Sequence, residues 1–217
     1  MAEAALRPEC RKSPAADLSS DQLRQSKRFF VTVARDICPG WDVSEQNRAT
    51  VRAVFEWCMG IRGLADPDKG LWLYGNVGTG KSTMLRIVKE YCRRIGRRDP
   101  WGGEYGFRIT SCVEVCGNYQ SSGFSGIDDF ISLRRQAFDE VGAEARVTGY
   151  YGTPLDVIGT VLMGRYDRRH HNITHATTNL TPDELRRRYG DRVYDRCREM
   201  FNFLHFSGQS YRAASHD

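Results

Sequence analysis

The sequence predicts an α/β fold in which a parallel β-sheet is flanked by helices, and three observations carry that prediction. The first is Gly75-Asn76-Val77-Gly78-Thr79-Gly80-Lys81-Ser82, which matches G-x-x-x-x-G-K-[ST], the phosphate-binding P-loop. It follows an apolar, strand-like run, Leu71-Trp72-Leu73-Tyr74, and precedes Met84, Val88, Tyr91, Cys92 and Ile95, which are spaced for one face of a helix. The second is the alternation of strand-like and helix-like stretches along the rest of the chain. The third is that Asp139-Glu140 and Asn179 each fall where a predicted strand ends. Open parallel sheets bind their ligands beyond the carboxyl ends of the strands.

Composition fits one α/β domain with a modest extension: 217 residues, 40% hydrophobic and 27% charged. No segment reaches about 18 consecutive apolar residues, so no membrane span is expected. The first residues carry Glu3, Arg7, Glu9, Arg11 and Lys12 without an apolar core, unlike a secretory signal, and a cytoplasmic address is expected. Seven cysteines, an odd number, are expected to be reduced thiols. Cys112 and Cys116 have the spacing of a metal half-site, yet no second Cys/His pair lies at finger-like distance, although His170, His171 and His175 follow far downstream. The competing reading is one turn of helix with buried thiols.

The net charge is +5, and arginines cluster at Arg93, Arg94, Arg97 and Arg98, at Arg165, Arg168 and Arg169, and at Arg186, Arg187 and Arg188. Such clusters form solvated helix faces or, if several share one side, a footprint for a phosphate backbone.

Residues 1–19, rich in Ala, Pro and Ser, read as a flexible arm. Residues 20–65 read as a helical extension: one helix from Asp21 to Ile37, and a second starting near Asp42 with Glu45 as a capping box and ending at Gly60 or Gly63. Asp66 to Gly70 is a turn into the P-loop domain, residues 66–217. The P-loop helix stops at Gly96, Arg97–Tyr105 reads as a surface loop and Phe107–Thr110 as a short strand. Cys112–Leu133 reads as one or two short helices broken at Ser121-Ser122-Gly123. Leu133–Phe138 is polar for a central strand, so that strand is either short or exposed where it begins. Thr153-Pro154 is expected to cap a helix through Leu155, Ile158, Leu162 and Tyr166. Ile173–Thr177 is strand-like, Thr181 with Glu184 is a capping box for a short helix that Gly190 stops, and Phe201–Phe206 is a last strand.

The chemistry of these residues is that of a nucleoside triphosphate site using Mg²⁺. Glycines 75, 78 and 80 let successive N–H groups turn inward as a nest for a phosphate at the start of the next helix. Lys81 adds a point charge for the β- and γ-phosphates, and Ser82 a hydroxyl for Mg²⁺, with Thr83 beside it. Asp139 can hold Mg²⁺ through water, and Glu140 can polarise an attacking water. Asn179 can reach a γ-phosphate or that water, or is a turn residue before Thr181. Arg192 and Arg196 are four apart and face one way on a helix.

From Gly70 to Arg212 the chain resembles AAA+ ATPases of the bacterial replicative-helicase loader type (DnaC-like) and the related insertion-sequence helper ATPases (IstB-like). The matching segments are Leu73–Ser82 as Walker A, Phe138–Glu144 as Walker B, Thr177-Thr178-Asn179-Leu180 as sensor 1, Tyr189–Arg196 as the box with a trans-acting arginine, and Ser210-Tyr211-Arg212 as sensor 2. The resemblance implies a P-loop (AAA+/RecA-like) fold with little or no separate lid domain. It implies ATP and Mg²⁺ as cofactors, with Gly75 to Thr83 and Arg212 around the nucleotide. It further implies side-by-side self-association in which Arg196, or else Arg192, reaches a neighbour's ATP, and binding of single-stranded DNA and of a replicative helicase or transposase. Two other readings stand beside this ATPase. One is a nucleotide-gated binding module with negligible turnover; the other is a small-molecule P-loop kinase, which gives Asn179 and the arginine pair no purpose.

Overall fold

The computed structural model describes residues 18–208. Of the arm expected over residues 1–19, only Leu18 and Ser19 fall among them, and Ser210-Tyr211-Arg212 lies outside. The chain divides into two compact units that interleave in sequence, residues 1–68 with 82–106 and residues 69–81 with 107–217.

The first unit is helical. Helix α1 (Ser20–Ile37) starts at a reciprocal cap in which the Ser19 hydroxyl accepts from the Gln22 amide at 3.2 Å and the Gln22 side chain accepts from the Ser19 amide at 2.8 Å. Helix α2 (Arg48–Cys58) begins later than Asp42 suggested. Ser44 is the residue whose side chain reaches an amide, that of Asn47 at 3.2 Å, and it caps a single 3₁₀ turn over Glu45–Asn47 before the α-helix starts. Gly60, with φ of 71°, ends the segment as expected.

The following helix α3 (Lys81–Arg94) brings Tyr91 to 5.0 Å from the Phe30 ring and 6.2 Å from that of Phe55. The apolar faces of the three helices thus meet in one aromatic core. The stretch 97–105 is not the plain surface loop expected. The Arg97 guanidinium stands 4.1 Å from the Trp57 ring and 4.7 Å from the Tyr105 ring, and donates to the Trp57 carbonyl at 2.7 Å. Cation–π attraction and a satisfied donor fix both ends of this loop inside.

The second unit carries seven strands: β1 (Gly70–Tyr74), β2 (Arg108–Ser111), β3 (Arg135–Val141), β4 (Thr148–Tyr150), β5 (Thr153–Leu155), β6 (Ile173–Thr178) and β7 (Phe201–His205). Five form a parallel sheet in the order β2-β3-β6-β1-β7. Its helices are α4 (Cys112–Ser122), α5 (Asp128–Ser132), α6 (Val157–Asp167) and α7 (Pro182–Met200). Trp72, Phe138, Ala176, Tyr119, Leu162 and Phe201 belong to one buried core. The α/β class and the parallel sheet read from the sequence are those observed.

Three details differ from the sequence reading or resolve it. Thr153-Pro154 does not cap a helix; it pairs antiparallel with Gly149 and Tyr150 in a two-stranded hairpin, and Asp156 caps α6 by accepting from the Gly159 amide at 3.0 Å. Each strand of a two-stranded hairpin has one unpaired edge, where a proline is tolerated. Strand β3 is not short: seven residues long, it begins at half-buried Arg135, just past exposed Arg134, and is buried from Gln136 to Phe138. Within α7, Gly190 adopts φ 85° and ψ 165°, so the short helix stops there and a second helical stretch runs on from Asp191 to Met200. No helix among the described residues is long and apolar enough to cross a membrane.

Candidate active site

The P-loop leaves the end of β1 and re-enters helix at Lys81. Gly75, Gly78 and Gly80 take φ values of 143°, 80° and 92°, a region costly for other residues. Gly75 is further constrained because a Cβ there would lie 2.0 Å from the Phe206 carbonyl oxygen. Asn76 and Val77 are exposed at the tip, and Thr79, buried beneath it, donates to the Asn76 carbonyl at 2.9 Å. Lys81 is buried with its Nζ donating to the carbonyls of Gly75 at 2.7 Å and Asn76 at 2.6 Å. Burial pulls its ammonium below the usual value, and the carboxylates of Asp139 and Glu140 oppose that pull. Ser82 and Thr83 are half-buried in the first turn of α3, where a helix N-terminus favours an anion.

The two carboxylates lie on a β-bulge. Strand β3 pairs with β6 through Phe138↔Ala176 and then Val141↔Thr178, so three steps on β3 match two on β6. The extra residue breaks the alternation that would send neighbouring side chains to opposite faces. Glu140 takes φ of 60°, uncommon for a residue with a side chain and costing about 1–3 kcal/mol. Asp139 and Glu140, adjacent in sequence, both place negative charge near the Lys81 ammonium.

Thr177 sits against this bulge. Its buried hydroxyl accepts from the Glu140 amide at 2.9 Å and donates to the Asp139 carboxylate. Thr178 stitches the next step, donating to the Val141 carbonyl at 2.6 Å and accepting from the Leu180 amide at 3.0 Å. Asn179 follows at the edge and is exposed.

Beyond the bulge, buried Glu144 accepts from the Gly142 amide at 2.9 Å, from Arg188 at 3.1 Å and from the Tyr189 hydroxyl. Burial and the Glu144 charge push the Tyr189 phenol well above its ordinary value. Gly142 and Glu144 after the carboxylates and Arg188 and Tyr189 of α7, far apart in the sequence, are therefore one bonded group.

The arginines divide sharply. Arg165 belongs to no surface footprint: it is fully buried, donating to Thr174 at 2.7 Å and to the carbonyls of Phe130, Leu133 and Ile173 at 2.7, 2.9 and 3.1 Å. Burial brings its guanidinium down to about 9. Arg196 donates to Glu199 at 3.0 Å and to the Tyr166 hydroxyl at 3.1 Å, with its guanidinium 4.6 Å from the Tyr166 ring. Arg192 and Arg187 are exposed. Arg212 lies outside the described residues. Cys112 and Cys116 are buried one turn apart on α4, where burial pushes both thiols up. The six described cysteines are free thiols, and among the described residues no cluster of three His, Cys, Asp or Glu could hold a metal.

Asp139, Glu140 and Asn179 stood out in the sequence as side chains with chemistry; Thr177 and Tyr189 fell inside matched segments and Arg188 inside an arginine cluster, none with a bonding role of its own. A usable signal existed for Thr177: two consecutive hydroxyl residues end the strand before Asn179, at the depth where two carboxylates end another.

No family model matches the sequence, and no curated protein sequence matches it. Solved structures do match its fold. One is described as a primosome component from Streptococcus pyogenes serotype M3, with a TM-score of 0.59 at 19% identity over 81% of this chain and 87% of that one. The DnaC helicase loader matches with a TM-score of 0.57 at 14% identity, over 79% of this chain and 96% of the loader. The replication initiator DnaA, bound to AMPPCP and single-stranded DNA, matches with a TM-score of 0.51 at 16% identity over 79% of this chain, which spans only 49% of that protein. The chain has the P-loop α/β fold of AAA+ domains. At identities of 14–19%, this likeness is one of fold.

Proposed function

We propose that this protein binds and hydrolyses ATP as an AAA+ ATPase acting on DNA, in the manner of a helicase loader or a transposition helper. The reading is supported by the glycine loop with Lys81 and the Asp139-Glu140 bulge lying at the carboxyl ends of β1 and β3 in one parallel sheet, where Lys81 feels the charge of both carboxylates. The glycine nest and Lys81 fit a triphosphate. Ser82 and Asp139 offer the hard oxygen donors that suit Mg²⁺, which supplies charge neutralisation between phosphate oxygens. Glu140 orients and polarises the attacking water, and Asn179 reaches toward the same edge. An arginine from a neighbouring subunit stabilises the charge that develops. Arg196 is the first candidate, although it must first release Glu199 and Tyr166; Arg192, already exposed, is the second. Arg212 would complete the nucleotide site, as the sensor 2 resemblance implies. Single-stranded DNA and a helicase or transposase are the partners proposed, supported by the loader and initiator likeness.

A nucleotide-gated module with negligible turnover is the second reading, favoured by the intrachain bonds of Arg196. Measuring ATP turnover with and without single-stranded DNA separates the two. Slow turnover that rises with DNA is expected; tight ATP binding with no hydrolysis under either condition selects the second. For the trans arginine, Arg196→Ala subunits mixed with Lys81→Ala subunits should recover activity, and absence of recovery there and with Arg192→Ala leaves both as surface charges.

A further inference from the structure

We infer that Thr177 is the positioning residue of this site: its side-chain hydroxyl, and not its β-branched shape, sets the direction of both Asp139 and Glu140. The inference rests on the hydrolysis reading for its consequence in rate, but its geometry stands apart from it.

The bulge creates the need. Where β3 carries one residue more than β6, the regular ladder is interrupted between Phe138 and Val141. The Glu140 amide is satisfied there by the Thr177 hydroxyl oxygen at 2.9 Å. A hydroxyl has one proton to give, and this one goes to the Asp139 carboxylate. Accepting from one residue of the pair and donating to the other, a single oxygen fixes a backbone direction and a carboxylate rotamer together. At 1% exposure, Thr177 leaves water little room to substitute for it. The position of Glu140 in the left-handed region, φ 60°, persists only where neighbours hold it, and this bond is such a hold. Valine would fill the same space and supply neither bond.

The test compares the full-length chain with Thr177→Val, Thr177→Ala and Thr177→Ser. Three quantities are read: hydrogen exchange of the Glu140 amide by NMR, the Mg²⁺ concentration giving half-maximal binding of a fluorescent ATP analogue, and kcat and KM for ATP. In Thr177→Val the amide should exchange roughly tenfold faster or more. Its Mg²⁺ midpoint should rise about tenfold and kcat should fall about 10–100-fold, the usual cost of losing an outer support, with KM within about threefold of wild type. Thr177→Ser should stay within about threefold of wild type in all three. Unchanged exchange at Glu140 in both hydroxyl-less variants overturns the inference, as does damage by Ser equal to that by Val. If both hydroxyl-less variants unfold while Ser does not, the role is structural and the positioning claim fails. Should the wild-type chain hydrolyse no more ATP than Glu140→Gln, the hydrolysis reading fails, and exchange with the Mg²⁺ midpoint still decides the role of Thr177.

Discussion

The phosphate loop and the carboxylate bulge lie at the same edge of the sheet and are held in opposite ways. The loop is held mostly by itself: Thr79 bonds to Asn76, and Lys81 to Gly75 and Asn76, over separations of at most six residues. The bulge is held by a residue 37 positions away on another strand. A self-contained loop is specified wherever its glycines and lysine occur in order. A site built across strands exists only once those strands are in register, so its defects should spread into the fold, and its chemistry should depend on residues outside any motif.

The sharpest way to break this contrast is at the bulge itself. Glu140→Gln should lower ATP turnover by about 10²–10⁴-fold, the range for a lost general base, while nucleotide affinity stays within about threefold. Turnover at the wild-type rate would remove Glu140 from the chemistry. At the loop, Lys81→Ala should weaken binding of a fluorescent ATP analogue by about 10²-fold through the loss of charge-assisted bonds, with the far-UV circular dichroism unchanged. Undiminished affinity would dismiss the P-loop reading.

A third test leaves the site and asks what long-range bonds are worth. Arg165→Leu removes a donor from the Thr174 hydroxyl and from three carbonyls in the core, and should cost roughly 3–5 kcal/mol, a fall in Tm of roughly 6–20 °C. Arg165→Lys should recover only part of it, because a single ammonium cannot span that fork. The smallest effect belongs to a local device on α3, downstream of the loop. Arg93 and Arg94, bonding to Glu90, hold its carboxyl at about 2. A carboxyl depressed in the folded state adds stability above its unfolded value, near 4.5, and that stability is lost as pH falls toward 2. Solvent screening limits it to under about 1 kcal/mol. Glu90→Gln should flatten that pH dependence in denaturant titrations; an unchanged slope assigns the acid sensitivity elsewhere.

Much of the fold was legible because its signals are short-ranged. The cap at Thr181, the stop at Gly60 and the strand before the loop each depend on residues within four positions. Two local expectations gave way to packing. The cap expected at Asp42 falls to Ser44, and Thr153-Pro154, expected to open a helix, joins a hairpin. Arg165 looked like its surface neighbours Arg168 and Arg169, because nothing in a charged residue's identity tells that a ring of carbonyls awaits it.

By itself the sequence determined the phosphate loop, the parallel α/β class and the identity of the two carboxylates. All three follow from glycine torsions, hydrophobic period and the order of short motifs along the chain. Only the tertiary structure decided that β3 carries an extra residue between Phe138 and Val141, that Thr177 bonds both Asp139 and Glu140 there, and that Arg196 reaches Tyr166. Those facts rest on a one-residue shift between paired strands and on side chains meeting across 30 or more residues, and neither is encoded in any local stretch.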